Sequence, residues 1–211
     1  MPATRLFFAR HGESQHTLAG VQGTLRTCKG LTERGHAQAR ALTIELAKRA
    51  PDAVAVYASP LRRALETAAP IAERLGLRVI EEQGLMTWNQ PVEADNLPNE
   101  EYLRRYAQPG GGLFKGFQSV GESWADLVLR TGRGLTAIMQ AHPGQSVILI
   151  GHTESIMASF IVLGGLPLMA PFEAKSDPAG ITLWETDGDA LAFPAPRWVL
   201  RGFNLVPESG A

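Results

Sequence analysis

Histidines and arginines stand at or shortly after the ends of three apolar runs that have the composition of buried strands. They are Arg10 and His11 after the first run, Arg62 and Arg63 after the second, and His152 after the third. An arginine offers a planar fork of donors that fits phosphate oxygens. A neutral imidazole is a competent nucleophile toward phosphorus when a partner orients it, and a second, protonated histidine adds charge that stabilises the transition state. These residue types therefore indicate phosphoryl chemistry.

Six apolar runs that are bounded by turn signals predict β-strands. The three clearest are residues 5–9, 53–58 and 146–150, and the three weaker ones are residues 77–81, 181–185 and 190–193. Asp187-Gly188 predicts a hairpin turn between the last two. Ligands of an open parallel sheet bind outside the carboxyl ends of its strands. The arginines and histidines are therefore expected to meet at one edge of the sheet.

Between the strands lie apolar stripes with helical spacing. Thr32 predicts the N-cap of a helix that runs to about Arg49, and Ser59 followed by Pro60 predicts a cap and a first-turn proline for the next helix. Further stripes predict helices at residues 124–138 and 156–163. Strands that alternate with helices imply a three-layer α/β/α sandwich with a mostly parallel central sheet.

Residues 88–120 interrupt this alternation with three prolines and the run Gly110-Gly111-Gly112. A segment of this kind predicts a small inserted lid rather than a second domain. Within it, residues 99–106 predict a short helix. We therefore expect a single domain over residues 1–211, with a variable lid at about residues 88–120.

The composition excludes several classes of function. The 211 residues carry 20 Lys+Arg against 21 Asp+Glu, and the resulting net charge of -1 argues against binding to nucleic acid or to a membrane surface. That balance leaves room for one small anion held by a few cations. Cys28 is the sole cysteine, no Cys/His spacing resembles a zinc site, and no apolar stretch has the length of a signal peptide or membrane span. We expect a cytoplasmic protein with no metal and no cofactor.

Six short motifs, taken together and in order, closely resemble the histidine phosphatase superfamily, also called the phosphoglycerate mutase-like superfamily. They are Arg10-His11-Gly12-Glu13, Gln22-Gly23, Leu31-Thr32-Glu33-Arg34-Gly35, Ser59-Pro60-Leu61-Arg62-Arg63-Ala64, Gly121-Glu122-Ser123 and Gly151-His152. The resemblance implies a phosphoglycerate mutase-like fold and phosphorylation of His11 during turnover. It also implies that Arg10, Arg63 and His152 surround the phosphoryl group, whereas Arg62 is a solvated helix residue.

The chain departs from the family pattern at Thr87. The branch that it resembles usually has a glutamate there, which acts as general acid for the leaving alcohol, and a threonine hydroxyl cannot supply that proton as a carboxylic acid does. Three explanations remain open. Glu154 takes the role, since it lies two residues after His152; or a carboxylate of the variable segment does; or the acid is lost. The carboxylates of the second explanation are Glu81, Glu82, Glu93 and Asp95.

Around these residues we expect a substrate pocket that includes Glu13, Thr17, Thr87 and Trp88. Glu13 has a simpler explanation as a carboxylate that favours a helix N-terminus. The remaining histidines and the cysteine have no placement at a strand end, so surface positions are expected for the former and an inert thiol for the latter. They are His16, His36, His142 and Cys28.

The function predicted from these observations is that of a metal-independent phosphomonoesterase, with His11, His152 and Glu154 as catalytic residues and a small phosphorylated metabolite as substrate. Two alternatives are kept. A phosphoglycerate-type mutase would return the phosphoryl group to its substrate, and a phosphoryl-binding regulatory module would have lost catalysis together with its acid. The sequence leaves the oligomeric state open, with a homodimer as one option.

Overall fold

One mixed sheet of six strands organises the residues that the computed structural model describes, which are 2–106, 113–114 and 121–208. The strands are β1 (Thr4–Arg10), β2 (Ala53–Ala58), β3 (Val79–Glu81), β4 (Ser146–Gly151), β5 (Ile181–Thr186) and β6 (Val199–Leu205). They lie in the order β3-β2-β4-β1-β5-β6. The four strands from β3 to β1 are parallel, and β5 and β6 are added antiparallel at one side. The mostly parallel sheet is thereby confirmed.

Helices cover both faces of the sheet. They are α1 (Gln15–Ala19), α2 (Glu33–Arg49), α3 (Arg62–Leu75), α4 (Asn99–Tyr106), α5 (Trp124–Ala141) and α6 (Thr153–Val162). Side chains of a strand alternate between the two faces, so Phe7 of β1 packs with α2 and α3 while its neighbour Phe8 packs with α5 and α6. The predicted three-layer sandwich is confirmed.

Of the two predicted helix starts, one is confirmed and one is wrong. Thr32 caps α2, because its hydroxyl accepts a hydrogen bond from the backbone N–H of Gly35. Ser59 does not cap α3, which begins at Arg62 after Leu61 and has no side-chain cap. The Ser59 hydroxyl lies instead 2.9 Å from Nε2 of His152.

The predicted hairpin at Asp187-Gly188 is also wrong. Residues 190–193 form no strand, and β5 pairs with β6 after a longer connection, with Ile181 opposite Leu205. Prolines at 194 and 196 follow the apolar run and cannot donate to a ladder. Sequence patterning missed β6 because Arg201, Gly202 and Asn204 interrupt its alternation.

The structure describes only part of the segment that we predicted as a lid. The short helix that we expected at residues 99–106 is α4, with the predicted bounds. Residues 107–112 and 115–120 of the predicted lid lie outside the described residues. In the described part of the chain, no helix combines the length and the apolar character that crossing a bilayer requires.

Candidate active site

The ends of β1 and β4 bring two histidines together. The register pairs Arg10 with Gly151, and the backbone N–H of His11 donates to the Gly151 carbonyl over 3.0 Å. His11 and His152 are therefore side by side, with their ring centroids 4.9 Å apart and both side chains buried. Arg63, on the first turn of α3, is buried with them. We call Arg10, His11, Arg63 and His152 the floor of the site.

The hydrogen bonds of His11 define which of its nitrogens is free to react. Nδ1 lies 2.6 Å from the carbonyl oxygen of Gly12, which can only accept, so Nδ1 carries the proton. Nε2 therefore carries a lone pair, and it accepts a hydrogen bond of 3.1 Å from Nε of Arg63. Burial, and secondarily the charge of Arg63, hold the pKa of His11 well below its usual value. His11 is a neutral nucleophile whose reactive atom is Nε2.

The hydrogen bonds of His152 define its tautomer in the same way. Its Nδ1 lies 3.5 Å from Nη2 of Arg63, which can only donate, so Nε2 carries the proton and donates to Oγ of Ser59. The backbone N–H of His152 donates to Oγ of Ser155 over 3.0 Å. Burial, followed by the charge of Arg63, lowers the pKa of His152 well below its usual value. Both histidines of the floor are thus neutral in the free protein.

Arg10 has a donor that no described residue satisfies. Its Nη1 donates to the carbonyl of Ser176 over 2.6 Å, while its Nε is buried and lacks a hydrogen-bond partner in the described part of the chain. A buried N–H without a partner costs free energy. Burial lowers the pKa of Arg10, and the negative charge of Glu154 opposes that shift. The floor therefore presents two guanidinium groups, one with an unmet donor, in a setting that favours an anion.

Above the floor lies a cavity of about 410 Å³. We call the lining residues contributed by residues 21–23, residues 87–90 and α4 the rim: Val21, Gln22, Gly23, Thr87, Trp88, Gln90, Asn99, Tyr102 and Leu103. The other lining residues, besides the floor, are Ser14, His16, Thr17, Thr153 and Glu154.

Of the predicted pocket residues, Thr17, Thr87 and Trp88 line the cavity and Glu13 does not. The carboxylate of Glu13 accepts a hydrogen bond of 2.8 Å from Oγ1 of Thr32 and lies 3.7 Å from Nη1 of Arg34. Glu13 therefore joins the first loop to the start of α2, in keeping with the simpler explanation of its role.

Glu154 is the one carboxylate among the described residues that line the cavity. It lies in the first turn of α6, where the chain direction places it next to the floor. The competing carboxylates lie elsewhere. Asp95 accepts hydrogen bonds from the Thr24 backbone and the Thr27 hydroxyl, and Glu82 accepts one from the backbone of Gly84. Glu81 and Glu93 are exposed and do not line the cavity.

The expected surface position of His16 is wrong. His16 is buried and lines the cavity, and burial lowers its pKa. Gly23 lies against its ring, where a Cβ would come within 2.5 Å of the ring carbons. A signal was present in the Gln22-Gly23 motif, since a glycine there makes room for a neighbouring side chain. His36, by contrast, is half exposed and lies 3.9 Å from Glu66.

Two further contacts of the floor were not predicted. The hydroxyl of Ser59, described above, accepts a hydrogen bond from the proton that His152 carries on Nε2. Nη1 of Arg63 donates to Sγ of Cys28 over 3.4 Å, so the sole cysteine packs behind the guanidinium. Arg62 is exposed and pairs with Glu66 over 2.6 Å, as the prediction of a solvated helix residue requires.

In the described ranges no group of three or more His, Cys, Asp and Glu side chains could hold a metal ion. The donors that face the cavity floor are guanidinium N–H groups and imidazoles, which suit an anion rather than a cation.

Comparison with known proteins gives a consistent result. The sequence model of the Histidine phosphatase superfamily (branch 1) matches residues 6–197. Phosphoserine phosphatase 1 of Hydrogenobacter thermophilus is 31% identical over 172 residues, which is 78% of each chain. Glucosyl-3-phosphoglycerate phosphatase of Mycolicibacterium vanbaalenii is 28% identical over 99% of this chain and 97% of the relative. The solved complex of a mycobacterial glucosyl-3-phosphoglycerate phosphatase with inorganic phosphate has a TM-score of 0.74 at 28% identity, covering 95% of this chain and 96% of that one.

Proposed function

Since this chain belongs to the histidine phosphatase superfamily, branch 1, we propose that it hydrolyses a small phosphate monoester through a phosphohistidine on His11. The observation that carries the proposal is the orientation of His11. Its Nε2 lone pair faces Arg63, its Nδ1 is held by Gly12, and His152 lies beside it. The named relatives are phosphatases, which fits hydrolysis better than isomerisation.

Binding of the phosphate is the first step. Its oxygens accept hydrogen bonds from the unmet Nε of Arg10 and from the guanidinium of Arg63. Arg63 thereby exchanges its bond to His11 for bonds to the phosphate, which uncovers the Nε2 lone pair. Substrate binding and activation of the nucleophile are then the same event.

His152 responds to the charge of the phosphate. In the free protein its Nδ1 accepts from Arg63, and it is neutral because burial and nearby cations lower its pKa. A phosphate dianion at the floor offsets the positive charge of Arg10 and Arg63 and favours the doubly protonated ring. The new Nδ1–H then donates to a phosphate oxygen and stabilises the charge that develops in the transition state.

The chemistry proceeds in two displacements. Nε2 of His11 attacks phosphorus, the bond from phosphorus to the alcohol oxygen breaks, and Glu154 in its protonated form donates the proton that the leaving oxygen needs. A water molecule then attacks the phosphohistidine, Glu154 accepts its proton, and the bond from phosphorus to Nε2 breaks. Inorganic phosphate leaves, and His11 returns to its neutral form.

The proposal needs no metal ion, because Arg10, Arg63 and protonated His152 supply the positive charge that magnesium supplies in other phosphoryl-transfer enzymes. We also place the enzyme in the cytoplasm, in keeping with its single unpaired cysteine. We further propose that the chain forms one domain.

The test of the nucleophile uses p-nitrophenyl phosphate and a panel of alkyl phosphates in the presence of EDTA. We expect hydrolysis by the wild-type protein and a loss of at least about 10³-fold in His11→Ala. His36→Ala removes a half-exposed imidazole and should keep wild-type rates. Phosphate release that survives His11→Ala contradicts the mechanism, and isomerisation of 3-phosphoglycerate that exceeds its hydrolysis favours a mutase.

The role of Glu154 has its own test. Glu154→Gln should lower kcat/KM for an alkyl phosphate by about 10²-fold and that for p-nitrophenyl phosphate only a few-fold, because nitrophenolate leaves without a proton. Glu173→Gln, an exposed carboxylate that pairs with Lys175, is the matched control. Equal losses on both substrates would remove Glu154 from the acid role.

A further inference from the structure

The rim carries polar groups that the phosphoryl chemistry does not use. Three side-chain amides form a chain along it: Nε2 of Gln90 donates to Oε1 of Gln22, and Nε2 of Gln22 donates to Oδ1 of Asn99. The hydroxyl of Tyr102 and the indole of Trp88 line the same cavity. These groups face the part of the cavity that the alcohol of a bound phosphate ester would occupy.

One atom of these three amides indicates the chemistry of that alcohol. Oε1 of Gln90 is buried and has no hydrogen-bond partner in the described part of the chain, although Nε2 of the same amide is engaged. A buried carbonyl oxygen without a donor costs free energy. A substrate hydroxyl can donate to this oxygen and accept from a neighbouring amide N–H, whereas a carboxylate can only accept and would face it with like charge.

The charges of the cavity lining also favour a substrate hydroxyl over a carboxylate. Among the described lining residues, the arginines are Arg10 and Arg63, which both belong to the floor. The one carboxylate there is Glu154, and the rim contributes no ionised side chain. A second anionic group on the substrate would lose hydration at a neutral wall, and the described rim offers no cation to compensate for that loss.

We propose that the leaving alcohol is uncharged and carries hydroxyl groups, as in a polyol phosphate or a monosaccharide phosphate; this rests on the function proposed above. The amide chain and Tyr102 hydrogen-bond its hydroxyls, and Trp88 packs against its C–H face. A cavity of about 410 Å³ lies at the lower end of the range for small-molecule sites. Such a volume accommodates a phosphate together with an alcohol of monosaccharide size.

The sharpest experiment compares esters that differ in one group. sn-Glycerol 1-phosphate and D-3-phosphoglycerate share the phosphorylated carbon and a neighbouring carbinol of the same configuration, and they differ only in a terminal hydroxymethyl group against a carboxylate. We expect kcat/KM to be at least about tenfold higher for the glycerol ester. O-phosphoserine should be as poor as 3-phosphoglycerate, and phosphoethanolamine should also be poorer than the glycerol ester.

One substitution should weaken the preference for the ester of the uncharged alcohol. Gln90→Lys removes the unmet carbonyl oxygen and adds a cation, so the ratio of kcat/KM for D-3-phosphoglycerate over sn-glycerol 1-phosphate should rise about tenfold. Gln140→Lys makes the same change of charge on the exposed surface of α5 and should leave the ratio as it is in the wild type. A ratio that does not move in Gln90→Lys would contradict the assignment of the rim.

The outcomes separate the two proposals. Hydrolysis of p-nitrophenyl phosphate through His11, with 3-phosphoglycerate, O-phosphoserine or phosphoethanolamine as the better alkyl ester, overturns the neutral-alcohol inference and leaves the phosphatase in place. Absence of hydrolysis of every ester, p-nitrophenyl phosphate included, overturns the proposed function and the inference with it.

Discussion

The floor and the rim of the cavity are built in different ways. The floor residues lie at or directly after the ends of β1 and β4, or in the first turn of α3, and the positions of those at the strand ends depend on the register of the buried sheet. The rim comes from loop segments and α4, and hydrogen bonds between loops hold it in place. Under the proposed function this difference separates two tasks: the sheet would provide a fixed phosphoryl site, and the loops would provide the surface that selects the alcohol.

The two regions also differ in charge. The floor concentrates two guanidinium groups and two buried imidazoles, whereas the described rim is neutral and carries amides, one phenol and one indole. Changes in the floor should therefore affect every phosphate ester alike, and changes in the rim should affect some esters more than others. The following predictions test this division, beginning with the largest effect.

Arg63 and Arg62 are adjacent, yet only Arg63 belongs to the floor. Arg63→Ala should lower kcat/KM by about 10³-fold for every ester, because it removes a fork of donors from the phosphate. Arg62→Ala, which removes an exposed guanidinium paired with Glu66, should stay within about twofold of the wild type. Steady-state kinetics with at least two esters decides the matter, and a loss confined to one ester would break the division.

The buried histidines of the floor make the stability of the protein depend on pH. Burial and Arg63 hold the pKa values of His11 and His152 well below the ordinary value near 6.5 that applies to the unfolded chain. As the pH falls below about 6.5, the unfolded state takes up protons that the folded state does not. The free energy of unfolding should therefore fall by about 1.4 kcal/mol per pH unit for each histidine.

Urea denaturation between about pH 7.5 and pH 5.5 measures this slope. His152→Asn should reduce it by the share of one histidine, and His36→Ala, an exposed control, should reduce it much less. An equal slope in the wild type and in His152→Asn would contradict the neutral, buried state of the floor.

Ser59 positions His152 without reaching the cavity lining. Ser59→Ala should lower kcat/KM about tenfold for all esters, because the proton on Nε2 of His152 loses its acceptor. It should also reduce the proton uptake that accompanies phosphate binding, measured by calorimetry in buffers of different ionisation enthalpy. Ser146→Ala, a buried serine at the opposite end of β4, should leave this proton uptake unchanged.

The smallest predicted effect concerns Asp95, which joins the segment just before α4 to the loop that directly follows the rim residues 21–23. Burial alone would raise the pKa of Asp95. Hydrogen bonds from Thr24, Thr27 and Arg26 outweigh burial and hold this pKa below its usual value. Asp95→Asn weakens this junction, so KM for a polyol phosphate should rise about threefold with a smaller change in kcat. Asp189→Asn, in an exposed loop, is the control. A larger loss in kcat than in KM would show that the rim supports the floor directly.

The placement of His11 and His152 could be predicted from the sequence because each follows a strong local pattern, whereas the choice of Arg63 over Arg62 depended on the resemblance to the family. Buried strands at 5–9 and 146–150 have unambiguous composition, and the strand ends place His11 and His152 at one edge of the sheet. Thr32 was correctly placed as a cap because its partner lies three residues ahead. Local physics and sheet topology suffice for these positions.

What sequence patterning missed depends on contacts between distant residues. Ser59 has the signature of a helix cap, but its hydroxyl lies against His152, which is 93 residues away. His16 lies in a five-residue helix that has no apolar stripe, and its burial depends on the loop at Gly23. β6 has no clear alternation of apolar and polar residues, and its register is set by its pairing with β5. No window of local sequence contains this information.

The main-chain bonds within the rim have a consequence for how such a protein can change its substrate. Gln22 exchanges backbone hydrogen bonds with Leu97 and Asn96, and Asn99 donates its backbone N–H to the carbonyl of Gly20. These bonds do not involve side chains, so substitutions at Gln22 or Asn99 alter what the wall presents without removing the bonds that hold it. New specificities are therefore accessible by single substitutions, at little risk to the architecture and with the reaction left intact.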